Sequence, residues 1–398
     1  MNEMTAVRAP SPHLVLLVAL SALQPMALNI IAPSTPELAR QFNTDYATVQ
    51  LTLTAYLIAV ATSQLITGPW SDRSGRRPVV LFGCATFLVG CLFAAIAPTI
   101  EALIFARVVQ AIGSGTTFAM ARAVIRDTSQ RDEAASRIGY MMVAMLVVPM
   151  LSPTVGSLID RFIGWQAIFF MMAVVGTISL ALVWTRLPET NITRDAQASF
   201  GKLASAFPTL LSNRAFLAYT LSVCATSGLF FSFVAGAPHV VVVSMRQAPE
   251  VYALWFIVLS GGYTIGNFLA GRFAGRLGSE RLILIGTWVT LVAMIVQAAW
   301  AMMAELTLSV LFVPAFLVTL GNGITIPGAS ASALSVRPDL AGSAAGLSGA
   351  LQLWTAAAAS WLTGHIVTSS PKGLIGIMLA CAIAGALALM IPRTLPKQ

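Results

Sequence analysis

Gly68-Pro69-Trp70-Ser71-Asp72-Arg73-Ser74-Gly75-Arg76-Arg77 places three arginines, one aspartate and two glycines between two long apolar runs. Residues 46–67 before it and 79–97 after it carry no Lys, Arg, Asp or Glu. Runs near the ~20 residues that take a helix across ~30 Å of hydrocarbon leave only their ends to meet water. The charged stretch is therefore expected as a turn where two spanning segments emerge. Gly75 can supply a positive φ at little cost, and Asp72 and Arg73 can bond to the adjoining helix ends.

Composition extends this reading to the whole chain. Apolar residues make up 57% of the 398 and charged residues 10%, against about 25% charged in an ordinary globular protein. Too few charges are present to cover a water-soluble surface, and the expected fold is an all-α polytopic membrane protein of twelve transmembrane helices. The net charge of +8 would suit a nucleic-acid partner only if it were gathered on one folded surface. Counted from a cytoplasmic N-terminus, however, 18 of the 23 Lys and Arg fall on the inner face, four on the outer face, and Arg107 lies within a span. That asymmetry orients a membrane protein, with both termini cytoplasmic.

Gly68-x-x-x-Asp72-Arg73-x-Gly75-Arg76-Arg77 resembles the loop signature between the second and third helices of the major facilitator superfamily of secondary transporters. A second copy, Gly271-x-x-x-Gly275-Arg276-x-Gly278, follows 203 residues later without the aspartate. The resemblance implies two pseudo-symmetric six-helix bundles with the substrate site between them. These are expected over 1–187 and 214–398, with a cytoplasmic linker at 188–213. It also makes Gly68, Asp72, Arg73, Gly75 and Arg76 gating candidates, with Gly275 and Arg276 as a weaker counterpart.

Arg107, Gln110 and Ser114 stand at i, i+3 and i+7 of the fourth span and share one face. A cation at that depth needs a cavity, a counter-charge or carbonyl partners, unless it snorkels to the interface. The stretch from Arg107 to Gly115 resembles the family's fourth-helix motif, whose arginine points into the central cavity and is linked to proton coupling. Arg122, Arg126 and Asp127 beyond it narrow the resemblance to the bicyclomycin and chloramphenicol resistance branch of drug exporters. Pro149, Pro153 and Gly156 in the fifth span resemble the antiporter motif, with Ser152 where glycine is usual; Pro153 and Gly156 join the gating set.

Gln24, Asn29, Tyr56, Gln110, Phe230, Trp255, Asn322 and Gln352 are the substrate-binding candidates, because cavities for apolar ligands combine aromatic walls with a few orienting polar groups. Each alone also reads as packing or as interhelical glue. All 15 acidic residues fall in tails, loops or span ends, and Asn29 stands where the branch usually carries an acid. Coupling candidates are therefore Arg107, Glu101 and Asp160, with His239 and His365 near outer span ends. The cysteines lack metal spacing, and no phosphate loop or nucleophile constellation is present, so neither an enzyme nor a cofactor or metal site is expected. The chain reads as a monomeric, multi-pass exporter of small, largely apolar molecules or drugs in a bacterial inner membrane. It would work by alternating access as a proton antiporter, with substrate, protons and the lipid bilayer as partners. A metabolite or sugar exporter of the same fold, or a non-transporting membrane sensor, are the alternatives.

Overall fold

The computed structural model describes residues 12–129, 131–191 and 200–391. Twelve helices of 16 residues or more follow one another in these residues: α1 (Leu14–Asn29), α2 (Tyr46–Ser74), α3 (Arg76–Ala95), α4 (Ile100–Thr128), α5 (Arg131–Phe162) and α6 (Trp165–Arg186), then α7 (Arg214–His239), α8 (Pro249–Leu277), α9 (Ser279–Met303), α10 (Leu308–Ser335), α11 (Ala341–Ser369) and α12 (Gly373–Ala388). Nine helical segments among the described residues are long and apolar enough to cross a membrane. The others are α5, α11 and the short α12. Ala, Gly, Ser and Thr make up much of α11, as suits a helix packed in a seam rather than bathed in lipid.

The helix starts follow from local chemistry. Asp45 caps α2 by accepting from the Thr48 N–H at 2.6 Å, Asn213 caps α7 through the Ala215 N–H at 2.9 Å, and Thr99 and Thr307 cap α4 and α10, each satisfying an otherwise orphaned donor. One expectation changes. Helix α2 continues through Pro69 to Ser74, so the reversal is compressed into Gly75 at φ 100°, and Gly278 at φ 78° repeats it between α8 and α9. Ahead of α2 stands a further short helix, Thr35–Gln41. Proline in its first turn, Glu37 beside it and Arg40 in its last turn all favour that helix.

Packing displays the twofold relation. The pairs α2–α4, α3–α4, α1–α5, α3–α6 and α1–α4 recur as α8–α10, α9–α10, α7–α11, α9–α12 and α7–α10, each helix matched to the one six places on. Two seams join the halves, α2 against α11 and α5 against α8. One apolar core runs through both halves at the end carrying Tyr46, Trp165, Val240 and Tyr252. At the end carrying the Gly75 turn the larger cores are separate, one around Val79 and Ile125 and the other around Phe216 and Ile283, and a small cluster of Ala61, Leu65 and Ala350 crosses between α2 and α11. Between α6 and α7 lie two short helices, Phe200–Ala204 and Phe207–Leu211. Residues 192–199 of the expected linker and both chain ends lie outside the described residues.

Candidate functional site

A cavity of about 250 Å³ lies between the halves, walled by α1, α4 and α5 on one side and α7, α8, α10 and α11 on the other. Five of the substrate candidates line it: Gln24, Asn29, Phe230, Asn322 and Gln352. Phe230 meets Phe231 edge-on at 5.2 Å and approaches Phe256 at 6.3 Å, giving an aromatic wall. The amides are held by neighbours. Gln64 Nε2 donates to Gln24 Oε1 at 2.9 Å, Asn29 Nδ2 donates to the Pro25 carbonyl at 2.9 Å, and the Thr290 hydroxyl donates to Asn322 Oδ1 at 3.2 Å. Asn29 Oδ1 is buried without a partner. No described lining residue is charged.

Three candidates lie elsewhere. Trp255 stacks on Phe312 at 5.1 Å and 17°, packing α8 against α10. Tyr56 and Gln110 belong to a network inside the first half. Arg107, 1% exposed, sits over the Tyr56 ring at 4.2 Å and donates to Gln110 Oε1, while the Tyr56 hydroxyl meets Ser114 Oγ at 2.6 Å. Gln110 Nε2 donates in turn to the Cys91 sulfur at 3.0 Å. Arg107 therefore points inward rather than snorkelling, and a ring face and an amide replace a carboxylate partner. Its Nε and Nη2 are buried without partners.

At the Gly75 end Arg76, 4% exposed, ties three helices of the first half. It pairs with Asp72 at 2.6 Å and Asp127 at 2.7 Å. The Glu189 carboxylate accepts from the Arg76 and Arg77 backbone N–H groups at 2.8 and 3.3 Å, an anion at the start of α3. A side chain at Gly75 would collide with Glu189, a second reason for glycine there. Gly68 and Gly275 face open space; Arg73 is on the last turn of α2 and Arg276 on that of α8.

At the opposite end, bonds cross between the halves. The Tyr46 hydroxyl donates to the Ala235 carbonyl at 2.6 Å, its ring lies 4.4 Å from His239, and Arg161 pairs with Glu250 at 3.0 Å. Asp160 lines a crevice there with Glu37, Arg40 and Glu250, and Glu101 is exposed on the first turn of α4. Pro153 lies within α5, and Gly156 brings α5 so close to α1 that a Cβ would overlap the Ile30 carbonyl.

Sequence reasoning missed Glu189 because its partners lie 113 residues away. It also passed over Phe118, Ser227 and Phe256, which line the cavity. Ser227 and Phe231 stand at i and i+4 on α7, a spacing that could have marked one inward face.

The profile of the Major Facilitator Superfamily matches residues 17–359. The uncharacterized MFS-type transporter YdgK of Bacillus subtilis is 30% identical over 377 residues, covering 94% of this chain and 93% of that protein. Multidrug resistance protein D of Escherichia coli is 29% identical, with 85% of each chain covered. The multidrug transporter MdfA of Yersinia pestis is 29% identical over 69% of this chain and 67% of its own. A partially occluded, inward-open structure of the xylose transporter XylE from E. coli superposes with a TM-score of 0.73 at 16% identity, covering 97% of this chain and 98% of that one. A profile match over most of the length, together with the paired helices of two halves around one cavity, makes this chain a member of the Major Facilitator Superfamily, a multi-pass membrane transporter and not an enzyme.

Proposed function

We propose that the protein exports small, largely apolar organic molecules by alternating access, as a proton antiporter. The observation that carries this reading is the chamber between the halves, whose aromatic wall and few amides suit a mostly apolar ligand. The multidrug names of two relatives support it. A sugar would need many more polar partners than this wall offers, and the xylose transporter's likeness, at 16% identity, bears on fold alone.

The N-terminal bundle spans 1–187 and the C-terminal bundle 214–398, joined by a linker at 188–213. The Gly75 end faces the cytoplasm, as do both termini, in a bacterial inner membrane, and the protein works as a monomer. Gly68, Asp72, Arg73, Gly75 and Arg76 hold the inner gate, with Gly275 and Arg276 in the second half, while Pro153 and Gly156 let α5 move against α1. Trp255, Tyr56 and Gln110 shape the site from behind its wall. Since no carboxylate is among the described residues that line the chamber, coupling belongs to groups outside it: Arg107 within the first half, Asp160 and Glu101 at the outer end.

Two measurements test this. Cells stripped of their own pumps should gain tolerance to apolar drugs on expressing the protein, and everted vesicles should take those drugs up faster with an imposed pH gradient. Uptake indifferent to the gradient would refute antiport; ligand binding without any flux would favour a sensor.

A further inference from the structure

The chamber's polar groups specify more than apolarity. An organic cation entering it would meet no carboxylate among the described lining residues, and leaving water for a low-dielectric site is unfavourable for an unpaired charge. Two arginines of the first half add positive charge on its side of the chamber. Arg122 lies over the ring of Phe118, a wall residue, at 4.2 Å, and Arg107 is buried behind Tyr56. Both repel a cation.

Asn29 adds a directional requirement. Its Nδ2 is committed to the Pro25 carbonyl, which fixes the other atom as an acceptor, and that acceptor has no donor. The terminal amide torsion is soft, so a small rotation presents Oδ1 to a ligand. Gln24 and Asn322 accept from Gln64 and Thr290 through their oxygens, which leaves their NH2 groups to donate.

We infer that the chamber selects uncharged aromatic molecules that bring one hydroxyl or amide N–H to Asn29, and that it rejects organic cations. This rests on the chamber being the transport site. The ligand's own carbonyl or ether oxygen takes the free donor of Gln24 or Asn322, and its ring packs on Phe230 and Phe231.

Three naphthalene probes separate the terms by titration calorimetry of the full-length protein in lipid nanodiscs. 1-Naphthaleneacetamide is neutral with an amide donor, 1-methylnaphthalene is neutral without one, and (1-naphthylmethyl)trimethylammonium carries a fixed charge. The acetamide should bind tightest, the hydrocarbon several-fold weaker, and the ammonium at least about tenfold weaker, since tenfold is one 1.4 kcal/mol step. Asn29→Leu should reduce the acetamide's advantage over the hydrocarbon severalfold, and Asn29→Asp should admit the ammonium. Ammonium binding equal to the acetamide's, binding of none of the three, or an undiminished acetamide preference in Asn29→Leu would each overturn the inference. The wild-type comparison stands even if a variant misfolds. Flux assays then separate the two readings. Selective acetamide binding with no flux sinks export alone, whereas equal flux of acetamide and ammonium sinks the selectivity alone.

Discussion

Replacing Tyr46 by Phe should loosen the seal between the halves while leaving each half intact. The Tyr46 hydroxyl donates to the Ala235 carbonyl at 2.6 Å, and both residues are buried. Stranding a buried acceptor costs about 1–3 kcal/mol. The Ala235 carbonyl lies inside α7, where the helix ladder also supplies a donor, so the lower figure applies. About 1 kcal/mol shifts the closed-to-open ratio roughly fivefold. The ring stays on His239, so packing is kept. The Arg161–Glu250 pair crosses the same end, but its side chains are 63% and 22% exposed, and exposed pairs contribute about 0–1 kcal/mol. Tyr46→Phe should therefore open this end more than Arg161→Gln does. Spin labels at Pro98 and Ala304, exposed in the α3–α4 and α9–α10 loops, would report the distance distribution by double electron–electron resonance. A distribution unchanged by Tyr46→Phe, or shifted more by Arg161→Gln, would refute the reasoning.

Arg76→Gln should lower the melting temperature measured in detergent, by roughly 3 kcal/mol of stability. Breaking a buried pair costs about 3–5 kcal/mol, and the lower end applies because Asp72 keeps solvent contact. Arg107→Met should change stability little, since removing a buried cation with two unpartnered nitrogens offsets the stranding of the Gln110 Oε1 acceptor, yet abolish gradient-driven flux. Retained flux would remove Arg107 from the coupling set. Gly156→Val should prevent α1 and α5 from packing, lowering the yield of folded protein, while Gly275→Val, facing open space, should not. The Thr48 backbone N–H, then its hydroxyl, holds the Asp45 carboxyl below its usual range. Its contribution is present above the unfolded value of 3.8 and lost as pH falls through the lower folded one. Asp45→Ala should therefore destabilise equally at pH 5 and pH 8 and lose its effect in acid.

The helical frame was legible because it follows from one-dimensional signals. Apolar run length set the helices, and the Gly75 and Gly278 positions marked their reversals and the repeat between halves. The wall of the chamber was half legible. Gln24, Asn29 and Asn322 stood out because amides are rare in apolar runs, whereas Phe118 and Phe256 look like any other packed phenylalanine until the facing helix is known. Trp255 shows the converse: its composition suits a ligand wall, yet its ring stacks on Phe312, a partner no spacing along the chain announces. Glu189 was hidden because its role is fixed by a turn more than a hundred residues away.

The bonds at the two ends differ in kind, and that difference locates the work of switching. Every bond named for Arg76, Asp72, Asp127 and Glu189 closes within the first half or between it and the first residues of the linker, so it survives any rigid rotation of one half against the other. At the far end the Tyr46–Ala235 and Arg161–Glu250 contacts, and the continuous apolar core around them, cross between halves and must part for the other state to form. Bistable interfaces exchange one packing for another rather than deform continuously. The alternative state must therefore make new crossing contacts at the Gly75 end, where Asp72 keeps 40% of its side chain exposed while bonded to Arg76. A carboxylate with one face engaged inside its own half and the other free can gain a partner in the second half without losing the first. If it does, Asp72→Asn should bias the protein toward the state seen here, and the Pro98–Ala304 distance should shorten on average rather than lengthen.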